Sequence, residues 1–232
     1  MATSQGPGRL LVDRAAEPVA LLLLGHGAGG GPQADDLATL SRRLPARGVT
    51  VVRFEQPWRL AGRKIAVAPP KLDQAWLEAA GWLTGQPWAQ LPLWLGGRSA
   101  GARVACRTAS GLGAHGVVCL AFPLHPPDRP ERSRAFELLA PTPPRLVLQG
   151  SRDPFGSALD VATAVASSVT ATVRVVELPG ADHSFRLPAR ADFGPAALRQ
   201  RLVEEVAGFV TGRTVPGPAS AAGAGAGSRD GE

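Results

Sequence analysis

The sequence predicts an α/β fold in one domain, with a mostly parallel central sheet flanked by helices. The first observation is that short apolar runs alternate along the chain with segments of helical periodicity. The second is the length of 232 residues, which suffices to cover both faces of such a sheet. The third is the composition, with 44% hydrophobic and 19% charged residues, which is ordinary for a folded globular protein.

Six apolar runs are the predicted strands. Their nearly continuous apolar character is typical of strands that are buried on both faces of a parallel sheet. Between them, apolar residues recur at a spacing of three or four, which predicts crossover helices. The strands are predicted at 19–24, 49–54, 91–95, 116–122, 145–149 and 172–178, and the helices near 37–44, 72–83, 102–109 and 198–209. Ligands of such sheets bind at the carboxyl ends of the strands.

Two segments lie outside this alternation. The connection 123–144 is rich in proline, and we expect it to form a small proline-rich cap with a short helix near 132–139. The stretch 214–232 consists largely of Ala, Gly, Ser and Pro without apolar periodicity, which predicts a disordered tail. The folded domain is therefore predicted to span residues 1–213.

Charge and cysteine content exclude several classes of partner. The formal net charge is +6, but the arginines are scattered, so no specific nucleic-acid partner is expected. Cys106 and Cys119 fall in a predicted helix and a predicted strand, and their spacing predicts neither a disulfide framework nor a metal site. The apolar run 19–24 is too short for a signal or membrane segment, so we expect a cytoplasmic protein without membrane contact.

The motif that indicates chemistry is Gly97-Arg98-Ser99-Ala100-Gly101, which joins the strand at 91–95 to a helix of small residues. A strand, a sharp turn and a helix with a serine in the turn form a nucleophile elbow. Glycines are needed on either side because side chains there would clash with the neighbouring strand and helix. The same pattern also occurs in ordinary glycine-rich loops, and its strand and helix context favours Ser99 as a nucleophile.

A serine nucleophile needs a base and an acid that orients the base. His183 follows the last predicted strand, so the loop that carries it can return over the elbow. Asp153 follows the strand at 145–149 and gives the chain order Ser, Asp, His. Asp128 is the rival acid, whereas Asp160 is predicted to face solvent on a helix and Asp182 merely adjoins the base.

Acyl transfer also needs hydrogen-bond donors for the developing oxyanion. The glycine-rich loop 25–31 follows the first predicted strand, and we expect the backbone N–H groups of Ala28 and Ala100 to be the donors. The loop matches neither the Rossmann pattern nor the P-loop pattern, so no nucleotide is expected, and the chemistry requires no cofactor or metal. Gly27, Arg63 and His125 are the candidate substrate-binding residues.

Two of these candidates have a plainer interpretation. Arg63 and Lys64 could bind a substrate carboxylate or phosphate, but a solvated or helix-capping pair is the alternative. His125, in the proline-rich segment, could shape the site, although a structural hydrogen bond within the loop is favoured.

Together these motifs resemble the α/β-hydrolase family, and in particular bacterial dienelactone-hydrolase-like proteins related to a testis-expressed mammalian protein and to a subunit of the NSL histone-acetyltransferase complex. The similar stretches are Gly25-His26-Gly27-Ala28-Gly29-Gly30, Arg53-Phe54 with Gly62-Arg63-Lys64, Gly96 to Arg103, and Phe122-Pro123-Leu124-His125-Pro126-Pro127, within residues 19–212. The resemblance implies an α/β-hydrolase fold with Ser99, Asp153 and His183 at the triad positions, and it implies no particular substrate.

The chain departs from the pattern of that family at two places. Ala100 stands where the family more often has a bulkier residue such as Met, which implies a wider acyl pocket. Gln56-Pro57-Trp58 replaces a more usual run similar to Phe-Pro-Tyr, so a substrate cannot be carried over by analogy.

The sequence therefore predicts a serine hydrolase that cleaves an ester, lactone or thioester of a small-molecule acyl substrate through an acyl-enzyme. The alternative from another class is a catalytically idle scaffold for protein interaction, as the histone-acetyltransferase complex subunit implies. A third possibility is transfer of the acyl group to an acceptor other than water, or peptidase or haloperoxidase-like activity. The oligomeric state is left open.

Overall fold

The computed structural model describes residues 1–191 and 193–212. The predicted tail at 214–232 lies outside the described residues. In the described part of the chain, nine strands form two sheets: β1 (Ala2–Thr3), β2 (Gly6–Pro7), β3 (Arg9–Asp13), β4 (Ala20–Gly25), β5 (Val49–Glu55), β6 (Leu93–Arg98), β7 (Gly116–Leu120), β8 (Arg145–Gly150) and β9 (Val173–Leu178). The first two pair only with each other.

The main sheet has seven strands in the order β3-β5-β4-β6-β7-β8-β9. Its strands are parallel except for β3, which runs antiparallel to β5 at one edge. Every predicted strand is present, with ends that differ by a few residues. The prediction missed β3, because this five-residue edge strand is only half-buried and begins and ends with a charged residue.

Helices cover both faces of the sheet. The two on one face, α1 (Asp35–Arg43) and α7 (Pro195–Thr211), contact each other, whereas α3 (Pro69–Leu83), α4 (Ala100–Ala109), α5 (Ala135–Leu139) and α6 (Ala158–Ala166) pack on the other face. A single turn, α2 (Pro57–Leu60), follows β5. The predicted arrangement, a mostly parallel sheet flanked by helices, is confirmed.

Each face of the sheet has its own hydrophobic core. Along β4, Leu21 and Leu23 belong to the core under α3 and α4, whereas Leu22 and Leu24 belong to the core under α1 and α7. Successive side chains of a strand point to opposite faces, so a strand covered on both sides must be apolar throughout. This is the physical basis of the apolar runs seen in the sequence.

The proline-rich connection 123–144 contains the expected short helix, α5. Its short helix α5 packs against α4 on the flank of the sheet, where the buried Glu137 accepts hydrogen bonds from Arg103 at 2.6 and 2.7 Å and from Arg107 at 3.2 Å. Arg107 also pairs with Asp73 of α3 at 2.6 Å. The expected short helix is present, but these ion pairs fix it to the side of the molecule.

The strand order shows where a ligand can bind. The chain leaves β4 to form β5 on one side and β6 on the other, so the order reverses between β4 and β6. In open parallel sheets a crevice forms outside the carboxyl ends of the strands at this point. The loop after β4 and the turn after β6 both lie there, and these are the two segments predicted to carry the oxyanion donors and the nucleophile.

Candidate active site

Ser99 occupies a strained turn between β6 and α4. Its φ of 51° and ψ of −111° lie in a region that L-residues rarely adopt. The turn is possible because a Cβ at Gly97 would lie 2.5 Å from the Gly25 carbonyl oxygen, and one at Gly101 would overlap the same oxygen. The expected need for both glycines therefore has a geometric cause, which is the close approach of β4.

His183 connects Ser99 to Asp153. Its Nε2 lies 3.0 Å from Ser99 Oγ, and its Nδ1 lies 2.8 Å from Asp153 Oδ2 and 3.0 Å from Oδ1. Because an ionised carboxylate only accepts hydrogen bonds, Nδ1 carries the imidazole proton and Nε2 is free to accept the proton of the serine hydroxyl. The three residues predicted as nucleophile, acid and base are thus hydrogen-bonded in series.

The Asp153 carboxylate is held by its own loop and by a residue that sequence reasoning missed. Its side chain is fully buried, and Oδ1 accepts from the Phe155 backbone N–H at 2.8 Å. Gln149, inside β8, donates from Nε2 to Asp153 Oδ2 at 3.0 Å and to the Gly156 carbonyl at 2.7 Å. A glutamine within an otherwise apolar strand was the available signal.

The remaining acidic candidates stand apart from the base. Asp128 is exposed with a φ of 58°, and Asp160 forms a capping box with Ser157 at the start of α6. Asp182 accepts from the backbone N–H groups of Ser184 and Arg186 at 2.7 and 2.9 Å, so it shapes the loop that carries His183.

A buried ion pair lies beside the nucleophile. Arg98, which precedes Ser99, donates to Asp36 Oδ2 at 2.9 Å and to the His183 carbonyl oxygen. Burial raises the pKa of Asp36, and the charge of Arg98 only partly opposes this effect. Arg98 thereby connects the elbow to α1 and to the loop that carries His183. The sequence motif did not indicate this role, because any residue can occupy the second position of the motif.

Two backbone N–H groups are available next to Ser99. Those of Ala28 and Ala100 have no protein acceptor within residues 1–191 and 193–212. Ala100 is the first residue of α4, where a helix leaves its N–H groups unpaired. A Cβ at Gly27 would lie 3.5 Å from that of Ser99, which shows how closely the loop after β4 approaches the nucleophile. This geometry is compatible with the expected oxyanion donors.

His26 fixes the peptide unit that contains the Ala28 N–H. Its Nε2 accepts from the Gln56 backbone N–H at 3.1 Å, so the ring proton is on Nδ1, which donates to the Gly27 carbonyl at 2.9 Å. Burial lowers the pKa of His26, which favours this neutral form.

An open cleft of about 910 Å³ exposes Ser99 and His183 to solvent. The ring of Phe155 lies against the imidazole of His183 with centroids 4.2 Å apart. The other walls include apolar and charged side chains, among them Ala28, Arg98, Phe185, Leu187, Leu198 and Arg199.

Residues 18–211 match the family described as alpha/beta hydrolase domain. The chain belongs to the alpha/beta hydrolase family. No curated protein matches it. The family assignment therefore rests on the domain match. The solved structures below show the likeness of the fold alone.

Three solved structures show how well this hydrolase fold is matched. An alpha-beta serine hydrolase homologue from Coxiella burnetii has a TM-score of 0.71 and 21% identity over 88% of this chain and 93% of that chain. A serine hydrolase without lid from Xanthomonas campestris has a TM-score of 0.67 and 23% identity over 90% and 93%. A dienelactone hydrolase from Anabaena variabilis has a TM-score of 0.66 and 20% identity over 88% and 92%.

Two of the predicted substrate-binding residues of this alpha/beta hydrolase lie outside the cleft. Arg63 is exposed and lines a separate cavity of about 190 Å³ with Trp58 and Lys71. His125 donates its backbone N–H to the Phe155 carbonyl at 3.1 Å, and its Nδ1 lies 2.8 Å from the Pro126 carbonyl oxygen. His125 thus supports the Phe155 loop, while Gly27 lines the cleft itself.

The remaining features of this hydrolase concern its cysteines, its metal-ligating side chains and the character of its helices. Cys106 and Cys119 are buried free thiols with their Sγ atoms 3.5 Å apart. Within the described ranges, no three His, Cys, Asp or Glu side chains are grouped as metal ligands. No helix in that part of the chain combines the length and apolar character needed to cross a membrane.

Proposed function

We propose that this alpha/beta hydrolase cleaves a carboxylic ester, lactone or thioester of a small substrate, with Ser99 as nucleophile, His183 as base and Asp153 as acid. The observation that carries the proposal is the continuous hydrogen-bonded series from Ser99 Oγ through the imidazole to a fully buried carboxylate. This series ends in a cleft of about 910 Å³ that is open to a substrate.

In the first half of the reaction, Ser99 Oγ attacks the substrate carbonyl carbon while His183 Nε2 accepts the hydroxyl proton. The negative charge that develops on the carbonyl oxygen is stabilised by the N–H groups of Ala28 and Ala100. Asp153 stabilises the imidazolium without accepting its proton. The bond to the leaving group then breaks, His183 returns the proton to the departing oxygen or sulfur, and the acyl group remains on Ser99.

The second half repeats these steps with water as the nucleophile. His183 removes a proton from a water molecule in the cleft, and the resulting hydroxide attacks the acyl-enzyme carbonyl. Collapse of this intermediate breaks the bond to Ser99, which regains its proton from the imidazolium, and the carboxylic acid leaves. The same proposal includes a small molecule as the acyl substrate and the cytoplasm as the location of the protein.

A fluorophosphonate probe tests whether Ser99 is activated. The intact mass of the purified protein is expected to increase by one probe adduct, because only a serine beside a base reacts quickly. Ser99→Ala is expected to remove the adduct completely. Ser184→Ala is the matched control, since Ser184 is an exposed serine of the same cleft and follows the base directly.

The two outcomes lead to different functions. One adduct that survives Ser184→Ala and is lost in Ser99→Ala supports the hydrolase, and the released acid and alcohol then distinguish hydrolysis from transfer to another acceptor. A folded protein that takes no adduct and hydrolyses no ester contradicts the proposal and leaves the scaffold alternative.

A further inference from the structure

A second cavity adjoins the cleft at the oxyanion loop. Ala28 lines both the cleft and this cavity. Ala100, which follows Ser99, lines the cavity as well. The cavity has a volume of about 10 Å³, which is room for about one water molecule. It therefore lies next to the groups that would surround a reacting carbonyl, and it is far smaller than the cleft.

Three residues that line this cavity each have a buried polar atom with no hydrogen-bond partner among the described residues. They are Gln56 Oε1, Trp58 Nε1 and Trp76 Nε1. The amide of Gln56 is oriented by its Nε2, which donates to the Leu72 carbonyl at 3.1 Å and leaves Oε1 as a free acceptor. Buried polar atoms nearly always have partners, so one acceptor and two donors on residues that line the same cavity are available to a polar group there.

The walls are also rigid. Trp76 is completely buried and packs against Phe54 with ring centroids 6.4 Å apart, and Trp58 packs against His26 at 5.6 Å. Widening the cavity on the side of these rings would require their displacement from the core. Although the side chain of Ala100 is small, the cavity that it lines has a volume of only about 10 Å³.

We propose that this cavity holds the hydroxyl of a short acyl group that carries this hydroxyl on the carbon next to the carbonyl. The inference rests on the proposed function, because Ser99 must hold the carbonyl carbon. A hydroxyl both donates and accepts, so it can bond to Gln56 Oε1 and to an indole N–H together. The leaving group of such an ester then lies in the open cleft.

The first experiment compares 4-nitrophenyl esters that differ only in the acyl group. The kcat/KM of each ester is divided by its rate of hydroxide hydrolysis, which removes intrinsic reactivity. Glycolate is expected to exceed acetate by about tenfold, and hexanoate to fall below acetate by about tenfold or more. A parallel series of acetates with longer alcohols is expected to vary little, because the cleft is open.

Variants then test the walls of the cavity. Trp76→Phe and Gln56→Met each remove one polar atom and are expected to bring the ratio of glycolate to acetate close to one. If Trp76→Phe does not fold, Trp58→Phe gives the same test. Leu72→Ala enlarges the cavity and is expected to raise hexanoate relative to acetate by about tenfold.

Trp88→Phe is the matched control for these variants. Trp88 is also buried with an unpartnered Nε1, but it does not line the cavity. Both ratios are expected to stay at the values of the unmodified protein in this variant. A change of the same size in Trp88→Phe would overturn the assignment of the cavity.

The outcomes separate this inference from the proposed function. A protein that takes the fluorophosphonate adduct but hydrolyses glycolate and acetate equally, with no limit on acyl length, overturns the inference, and the cavity then holds a structural water only. The inference is also overturned if kcat/KM falls with the length of the alcohol and does not fall with the length of the acyl group. A protein with no adduct and no hydrolysis overturns both.

Discussion

The backbone of Ser99 shows how one residue can serve reactivity at the expense of stability. Its φ of 51° and ψ of −111° are unfavourable for any side chain with a Cβ, and such a conformation persists only where the surroundings impose it. Here the close packing of β4, β6 and α4 around Gly97 and Gly101 imposes it. The turn in return directs the Oγ atom towards His183.

This strain predicts an inverted order of stability for two inactive variants. The free energy of unfolding of Ser99→Gly is expected to be about 1 kcal/mol higher than that of Ser99→Ala, because glycine tolerates this backbone conformation. At ordinary positions glycine is the less stable of the two. Urea denaturation of both variants measures the difference, and a lower free energy of unfolding for Ser99→Gly would show that the turn is not strained.

Asp153 is expected to set the tautomer of the base. In Asp153→Asn the amide can donate to His183 Nδ1, which moves the ring proton to Nε2 and prevents that atom from accepting the serine proton. The kcat/KM for an activated ester is expected to fall by about 10⁴-fold. Initial rates at neutral pH measure it, with the far-UV spectrum as a check of folding.

Asp128→Asn is the control for this change. Asp128 was the rival acid, but it is exposed and has no contact with the base, and asparagine tolerates its φ of 58° well. Its activity is expected to equal that of the unmodified enzyme. A large loss in this variant together with a small loss in Asp153→Asn would assign the acid to position 128.

The sequence predicted the residues whose positions follow from chain order and strand ends, namely Ser99, Asp153 and His183. It did not predict Gln149 or the pair of Arg98 with Asp36, because these contacts depend on side chains packed between elements that are distant in the sequence. The candidates Arg63 and His125 lie outside the cleft for the same reason, since a loop next to a strand end can turn away from it.

At the scale of elements, the sequence predicted strands and helices well where periodicity was strong. The predicted and observed strands agree because a doubly covered sheet needs continuous apolar runs, as in β4 and β7. It missed β3, which is short and lies at an edge of the sheet. It predicted the helix α5 but not its position, because the ion pairs that join α5 to α4 cannot be recognised from apolar periodicity.

Those ion pairs predict that α5 contributes to stability and not to activity. Burial alone would raise the pKa of Glu137, but hydrogen bonds and charge from Arg103 and Arg107 lower it, so the residue is ionised at neutral pH. Glu137→Gln is expected to reduce the free energy of unfolding by about 2 kcal/mol, since it leaves the partly buried Arg103 without a charged partner and Arg107 with Asp73 alone. Urea denaturation measures this loss.

Glu131→Gln is the control, because Glu131 is an exposed residue of the same connection. Neither variant is expected to change kcat or KM, since no residue of 123–144 lines the cleft within the described part of the chain. A change in KM for Glu137→Gln, with stability unaffected, would instead show that this connection acts as a lid.

At the scale of the whole molecule, the sheet and its two cores determine where the site can be. The reversal of strand order between β4 and β6 creates the crevice, and the loops after β8 and β9 bring Asp153 and His183 to the same edge. These two loops are joined by hydrogen bonds from the Arg152 N–H to the Ala181 carbonyl at 3.0 Å and from the Gly180 N–H to Ser151 Oγ at 2.7 Å. The site is thus built on the rigid edge of the sheet.

This architecture predicts that the chain can end at residue 213 without loss of function. The family match ends at residue 211, and α7 ends at Thr211 before Gly212, whose φ of 67° is the left-handed conformation that terminates helices. Both cores and all described walls of the cleft are formed by residues up to 212. A protein of residues 1–213 is therefore expected to keep the melting temperature and ester kcat/KM of the full chain.

A chain ending at residue 202 is the contrasting variant, because it removes Val203, Val206 and Val210 from the core and is expected to unfold. Loss of activity in the 1–213 protein would show that the last residues contribute to the enzyme, and would overturn the predicted domain boundary.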